Sequence, residues 1–207
     1  MKAKLKISNV SFWIFSGTLV ILEGERFAKA ALLPLFDRGI LQSSDGDDMR
    51  LYHGSNVAVR EPKLLKVQRD LDFGKGFYTT TDLQQATIWA ERTARIRNAG
   101  RACVSVYELD EVAYSTLHVL RFAEPDEAWL TFVAAHRRGR TDRNDWDLVI
   151  GPVANDQTMQ TLVLYLDGFL NEQETIARLL PQKLKDQAVF KTEKALACLR
   201  CTEVLMP

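Results

Sequence analysis

Asp72-Phe73-Gly74-Lys75-Gly76-Phe77-Tyr78-Thr79-Thr80 is the stretch that decides the fold. Its glycines predict a tight turn, and the aromatic and β-branched residues that follow favour a strand. Upstream, Leu51-Tyr52-His53-Gly54-Ser55 predicts a second strand that ends in a histidine and two small residues. Together the two stretches offer an imidazole, an aromatic ring beside a glycine-rich turn, and several hydroxyls. Such a set suits a flat, cationic, heteroaromatic ligand that carries a ribose.

The composition is that of an ordinary globular protein. The 207 residues are 46% hydrophobic and 26% charged, enough for one domain with a core and some additions. Basic and acidic residues number 27 each, so no net charge draws the chain to nucleic acid or anionic membranes. Three cysteines are too few for a disulfide framework, and Cys198-x-x-Cys201 has no second pair to hold zinc. We expect a reducing compartment and no metal. Two arginine clusters predict either a solvated surface or a phosphate-contacting rim: Arg92, Arg95, Arg97 and Arg101, then Arg137, Arg138, Arg140 and Arg143.

Residues 1–48 differ from the rest of the chain. The apolar stretch from Ile7 to Leu22 is broken by polar residues and is too short for a confident membrane span. Residues 1–30 resemble a signal peptide with Ala28-Lys29-Ala30 as a conceivable cleavage site, which would imply export. We favour the alternative that Met49 is the natural start, that 1–48 is an extension of uncertain status with a linker at 43–48, and that the protein is cytoplasmic.

From residue 49 to 207 the pattern predicts one α+β domain, because strands and helices mix without a regular βαβ repeat. Asp82 and Asn171 are predicted helix caps, and the stretch from Thr158 to Leu164 suits either a helix or a strand. Predicted strands are Arg50–His53, Phe77–Thr80, Cys103–Leu109, Asp147–Ile150 and Ala188–Lys191, and predicted helices are 83–99, 124–136, Leu170–Leu180 and Glu193–Leu199.

Two motifs carry a resemblance to a known superfamily. Tyr52-His53-Gly54-Ser55 and Phe73-Gly74-Lys75-Gly76-Phe77-Tyr78 resemble the first two motifs of the ADP-ribosyltransferase superfamily, in its branch with a His-Tyr-Glu signature. Trp89 occupies the place of that family's second aromatic residue. Gln187 stands where the family has a glutamate, which is a departure. Residues 49–200 also resemble the bacterial domain-of-unknown-function 3990 family.

The resemblance implies split antiparallel β-sheets that form an NAD cleft flanked by helices. It implies that NAD is consumed as a substrate, with no metal, and that Gln187 orients a ribose hydroxyl but cannot act as a base. Proton removal would then fall to the target group or to another carboxylate, with Glu193 and Glu108 as the first candidates and Asp156 after them. Asn155 and Asp156 either face the substrate or cap a turn. The implied catalytic residues are His53, Tyr78 and Gln187, and the implied NAD-contacting residues are His53, Gly54, Ser55, Phe73, Gly74, Tyr78, Thr79 and Trp89.

Three functions follow as expectations. The first is a mono-ADP-ribosyltransferase, a bacterial toxin component that modifies a protein or nucleic acid and pairs with a small antitoxin protein. The second is an NAD glycohydrolase, in which water is the acceptor. The third is a catalytically silent NAD- or ADP-ribose-binding module, which Gln187 favours. Each residue also has a structural interpretation: His53 as a buried structural histidine, the Gly-Lys-Gly sequence as a hairpin turn, and Trp89 as a core side chain.

Overall fold

The computed structural model describes residues 3–7, 10–15, 18–22, 50–65, 71–139, 145–154, 156–182 and 184–207. The chain divides into two compact units, Met1–Gln42 and Ser43–Pro207. The first contains an antiparallel sheet of β1 (Ala3–Ile7), β2 (Val10–Phe15) and β3 (Thr18–Leu22), in that order. The conceivable cleavage site, the expected linker and Met49 lie outside the described residues, as do Arg140 and Arg143.

The second unit is α+β, as predicted. Its described residues form two sheets, and six helices accompany them. No helix among the described residues is both long and apolar enough to cross a membrane. The elements are β4 (Arg50–Ser55), β5 (Phe77–Thr79), α1 (Leu83–Arg97), β6 (Cys103–Leu109), α2 (Glu111–Tyr114), β7 (Val119–Arg121), α3 (Glu127–Arg137), β8 (Leu148–Pro152), α4 (Asp156–Leu166), α5 (Glu172–Leu179), a 3-10 turn (Leu180–Gln182), β9 (Asp186–Phe190), α6 (Glu193–Leu196) and β10 (Leu199–Leu205).

The two sheets meet at the strands that carry the two motifs. One sheet has the order β10-β6-β4 and the other β5-β9-β8-β7, and β7–β8 is the parallel pair. A single bridge joins them: Tyr52 N donates to Thr80 O at 2.8 Å, and Thr80 N donates to Tyr52 O at 3.0 Å. Beyond this bridge β4 and β5 part. The structure therefore has a split between two sheets, with the His53 strand on one side and the Tyr78 strand on the other.

Local signals explain the helices. The Asp82 side chain accepts from Gln85 N at 2.7 Å, so it caps α1 as predicted, and Asn98 in a left-handed conformation ends it. Asn171 and Glu174 form a complete capping box at the start of α5. The ambiguous stretch from Thr158 to Leu164 is helical, within α4.

The predicted C-terminal helix was wrong in extent. Only Glu193–Leu196 is helical, and Leu199–Leu205 is a strand at the edge of the β10-β6-β4 sheet. Leu199 pairs with Leu109 and Leu205 with Val104. The partner strand supplies these hydrogen bonds, so the local sequence does not reveal them. The main core lies between β8–β9 and α3–α5, and Trp129 and Val133 fill it from α3.

Candidate functional site at the split between the sheets

The His53 imidazole connects the two motif strands. Its Nδ1 lies 2.7 Å from the main-chain oxygen of Tyr78, across the split. A carbonyl oxygen only accepts hydrogen bonds, so Nδ1 carries the proton and donates. In the neutral ring, Nε2 is then left as an acceptor. Among the described residues, no side chain or main-chain group hydrogen-bonds Nε2.

Packing keeps this imidazole neutral. The His53 ring stacks on Phe77 with centroids 4.3 Å apart and an interplanar angle of 29°. Burial is the main reason that the pKa of His53 lies below its ordinary value; the hydrogen bond to Tyr78 opposes the shift, and the charge of Arg97 adds to it. The site therefore presents a fixed acceptor nitrogen, which suits a hydroxyl-bearing ligand.

Gly54 exposes a matched pair of main-chain groups. Hydrogen bonds alternate along an antiparallel ladder, and those of Tyr52 point to Thr80. The N–H and C=O of Gly54, two residues on, point to the same side, where β5 has already parted from β4. They make no hydrogen bond to the described residues. A donor and an acceptor placed in this way fit the amide of a carboxamide.

Gly54 also lies against α1. A Cβ at this position would be 2.0 Å from Ala86 O and 2.8 Å from Ala90 N. Only glycine permits this approach. Trp89 belongs to the same helical turn; it is 46% exposed, and the guanidinium of Arg92 lies 5.5 Å from its ring centroid. The core interpretation of Trp89 does not hold, because the indole lies at the surface.

Side chains hold the glycine-rich turn from within. The Tyr78 hydroxyl donates to Gly74 O at 2.6 Å and accepts from Phe73 N at 3.2 Å. Lys191 Nζ donates to Phe73 O. Gly74 has φ 76°, and a Cβ there would lie 2.5 Å from the His136 ring. These contacts support the turn, and Lys75 lies exposed in it.

The remaining implied NAD-contacting residues are buried. Phe73 is fully buried against Phe122 and Phe132, so its ring belongs to the core. Ser55 is buried in β4, and Thr79 is buried and donates to Ala188 O at 3.0 Å.

The two sides of the sheet separate His53 from the other implied catalytic residues. Phe77 and Tyr78 point to opposite faces of β5, and His53 packs on Phe77. It thus reaches Tyr78 through the main chain and not through the phenol. Tyr78 pairs with Val189, two residues from Gln187, so Tyr78 and Gln187 share the other face.

Gln187 belongs to a buried polar cluster that the sequence did not indicate. Its Nε2 lies 3.5 Å from Pro152 O, and its side chain is one of the groups that counteract the rise in the pKa of Asp72. Asp72 also accepts from Arg137 Nε at 2.7 Å and from Ala154 N at 3.2 Å. Burial raises the pKa of Asp72, and the Arg137 charge opposes that rise. Asp72 directly precedes the quoted turn, which is the one signal that could have drawn attention to it.

The other candidate carboxylates, Glu108 and Glu193, have surroundings that differ from those of Asp72. Glu108 forms an ion pair with Arg200 on the neighbouring strand, and Glu193 is exposed in the first turn of α6. Asn155 and the side chain of Asp156 lie outside the described residues. Within the described part of the chain, no three His, Cys, Asp or Glu side chains are grouped to hold a metal ion.

Comparison with known proteins adds one finding. A family model described as "Protein of unknown function (DUF3990)" matches residues 49–201. This range includes both motifs, the split between the sheets and the buried cluster. No curated protein and no solved structure matches the chain.

Proposed function

This chain belongs to the DUF3990 family, and we propose that it is a mono-ADP-ribosyltransferase of the ADP-ribosyltransferase superfamily, with the split between its sheets as the NAD cleft. It would transfer ADP-ribose from NAD to a macromolecule and release nicotinamide. The observation that carries the proposal is that the N–H and C=O of Gly54, beside the His53 acceptor, make no hydrogen bond to any residue that the structure describes. A bacterial toxin component, held by a small antitoxin in the cytoplasm, belongs to the same proposal on the motif resemblance alone.

The Gly54 main chain suits the nicotinamide carboxamide. The amide N–H₂ would donate to Gly54 O while the amide oxygen accepts from Gly54 N. Two such bonds fix the plane of the ring, and positioning of this kind supplies much of the acceleration in group transfer. The exposed indole of Trp89, on the helix that covers Gly54, would then form a wall for the cationic ring, as would the Tyr78 ring, whose hydroxyl is already anchored to the turn.

His53 suits the sugar. Its Nε2 is an acceptor because Nδ1 donates to Tyr78 O. A ribose hydroxyl would donate to it and thereby fix the sugar as the bond to nicotinamide breaks. The electron pair of that bond leaves with neutral nicotinamide, and the acceptor nucleophile attacks the anomeric carbon of the cationic sugar. The acceptor's proton passes to solvent or to a carboxylate outside the described cluster.

A silent NAD-binding module is the second candidate. Gln187 is 5% exposed and its amide is bonded inside the protein. An amide cannot take a proton at neutral pH, so this position gives no base catalysis. The observation favours weak turnover or binding alone.

The test is to incubate the full chain with NAD and measure nicotinamide and ADP-ribose by chromatography, with labelled NAD and a bacterial lysate as acceptor. Nicotinamide release with labelled macromolecules supports transfer, and free ADP-ribose alone supports the glycohydrolase. Calorimetric binding without release over hours supports the silent module. His53→Ala should abolish release, whereas His118→Ala, at an exposed histidine, should not. A wild-type chain that binds neither NAD nor ADP-ribose would refute all three functions.

Trp89 offers a second test with a matched control. Trp89→Ala should weaken NAD binding by about 5- to 30-fold, because a desolvated cation–π contact is worth roughly 1–2 kcal/mol. Ile88→Ala, at the adjacent and 57% exposed position, should leave binding unchanged. Equal effects of both substitutions would exclude the indole from the site.

A further inference from the structure

Helix α1 has two apolar faces, and its own sheet uses one of them. Ala86 and Ala90 are buried, in a cluster with Val104 of β6 and against Tyr52 of β4. Ile88 lies about 200° around the helix from both alanines, on the side that faces away from the sheet. The packing of α1 in this fold therefore does not account for a large aliphatic side chain at that position.

The second face of α1 is open in the described part of the chain. Ile88 is 57% exposed, Trp89 46% and Ile96 71%. Among the described helices, α1 has the most large apolar side chains at the surface, since Leu83 is exposed as well. Single apolar side chains at a surface need no explanation, whereas several on one side of one helix mark a contact surface.

The spacing on this face is that of a helix–helix contact. Positions 85, 89, 92 and 96 are separated by four, three and four residues, the spacing at which one helix packs along another. We call this line the outer seam; it consists of Gln85, Trp89, Arg92 and Ile96, with Ile88 beside it. The helix is capped at both ends, by Asp82 and Asn98, so docking on it requires little further ordering of α1.

The charge of α1 indicates the kind of partner. The helix has three arginines, one glutamate and no lysine, although basic and acidic residues are equal in number in the whole chain. Aromatic residues and arginine are enriched at protein interfaces, where lysine and the acidic residues are depleted. The helix dipole accounts for Arg95 and Arg97 in the last turn, but it accounts neither for Arg92 nor for the exposed isoleucines.

We propose that the outer seam is a docking surface for a helical segment of another protein, with apolar side chains along one face and acidic side chains beside them. Its apolar side chains pack on Ile88, Trp89 and Ile96, and its carboxylates pair with Arg92 and Arg95. A second copy of this chain fits less well, because its α1 would bring arginines against arginines. A nucleic acid also fits less well, since its phosphates make no use of the isoleucines.

One consequence rests on the proposed function. Trp89 belongs to the outer seam and is also the proposed wall for the nicotinamide ring. A docked helix covers the indole, so docking and NAD binding should weaken each other, by the same factor in both directions. The docked segment would thus inhibit the site.

The test uses the full chain and two synthetic, fluorescein-labelled helical peptides of about three heptads. Both peptides have leucine at the a and d positions; one has glutamate at the e and g positions and the other has lysine. Fluorescence anisotropy should show that wild type binds the acidic peptide about tenfold more tightly than the basic one. Arg95→Glu should weaken binding of the acidic peptide and strengthen binding of the basic peptide, by about two- to fivefold each.

A matched pair of variants tests the apolar part of the seam. Ile96→Asp should weaken binding of both peptides by about tenfold, because it removes an apolar contact from the seam. Val112→Asp, at an 80% exposed position of α2, should change neither. Thermal unfolding of each variant checks that it folds, and both substitutions are at exposed positions.

Several outcomes would overturn the docking surface. They are no binding of either peptide, equal binding of both to wild type, and binding that Ile96→Asp leaves intact. A dimer in sedimentation that Ile96→Asp dissociates would assign the seam to a second copy. Displacement of the acidic peptide by a lower concentration of single-stranded oligothymidylate than of unlabelled acidic peptide would assign it to nucleic acid.

The same assay separates this inference from the proposed function. If wild type binds the acidic peptide but not NAD, the proposed transferase function fails and the docking surface stands. If it binds NAD but neither peptide, the docking surface fails and the proposed function stands. If NAD binds without weakening the peptide, the inhibition by docking is wrong.

Discussion

Replacing Gly54 by alanine tests the contact on which the site depends. The added Cβ would lie 2.0 Å from Ala86 O and 2.8 Å from Ala90 N. Both atoms belong to the backbone of α1, so no side-chain rotation relieves the clash. Either α1 or β4 must move by about 1.4 Å, from 2.0 Å to 3.4 Å, to reach ordinary van der Waals separation from Ala86 O. Because α1 carries Trp89, the same movement displaces the proposed wall of the NAD site.

The size of the effect follows from two opposing terms. Overpacking of a well-packed site costs about 1–3 kcal/mol, and a rigid backbone contact falls at the upper end. Alanine also reduces the conformational entropy of the unfolded chain, which stabilises the folded state by about 0.4–1 kcal/mol. We expect Gly54→Ala to lower the free energy of unfolding by about 2 kcal/mol. In a unit of this size each kcal/mol lowers Tm by roughly 2–4 °C.

Gly168→Ala is the matched control. A Cβ there meets nothing within 4 Å, although φ is 82°. Its expected cost is the left-handed conformation alone, about 1 kcal/mol. Urea unfolding followed by circular dichroism measures both variants, and NAD titration below the transition measures the site. If Gly54→Ala is no less stable than Gly168→Ala and binds NAD like wild type, the packing argument and the proposed role of α1 are both wrong.

Two further predictions concern buried charge. Burial lowers the pKa of His53, so below about pH 6.5 the unfolded chain binds a proton that the folded chain does not, and the free energy of unfolding decreases as the pH falls to the folded pKa. His53→Gln should remove this part of the pH dependence of the free energy of unfolding between about pH 7.5 and 5.5, measured by urea unfolding. An unchanged pH dependence would contradict the prediction. Arg137→Leu leaves the buried Asp72 carboxylate without its ion-pair partner and should lower the free energy of unfolding by about 3–5 kcal/mol at pH 7, and by less at pH 5, where protonation removes the charge. The control Arg138→Leu, at the adjacent exposed position, should lower the free energy of unfolding by less than about 1 kcal/mol at both pH values.

Signals that act within a few residues were readable from the sequence. Asp82 and Asn171 cap helices because each side chain bonds an amide three residues on. The strand Leu199–Leu205 was not readable, because its stability comes from β6, about ninety positions away along the chain. The short strand β7 depends in the same way on its partner β8.

The sequence likewise predicted some features of the candidate site and not others. The two motifs did predict strands that meet, and the Nδ1 of His53 contacts Tyr78. The contact runs through the main chain because neighbouring side chains of a strand point to opposite faces, a fact that motif spacing does not encode. Asp72 gave no signal of burial, because an aspartate before a turn is most often a surface residue. Its burial depends on the ion pair with Arg137, which the sequence places far away.

Gly54 resolves an apparent competition between structural and functional interpretations. The missing side chain serves the contact with α1, which lies on one face of the sheet. Its N–H and C=O lie in the plane of the sheet and point to the split. The two requirements use different directions from the same residue, so one does not weaken the other. Close packing of α1 over Gly54 also shields these main-chain groups from water on one side, which strengthens any hydrogen bond they make to a ligand. The helix α1, whose packing requires glycine at position 54, therefore also strengthens the hydrogen bonds that the Gly54 main chain would make to a ligand.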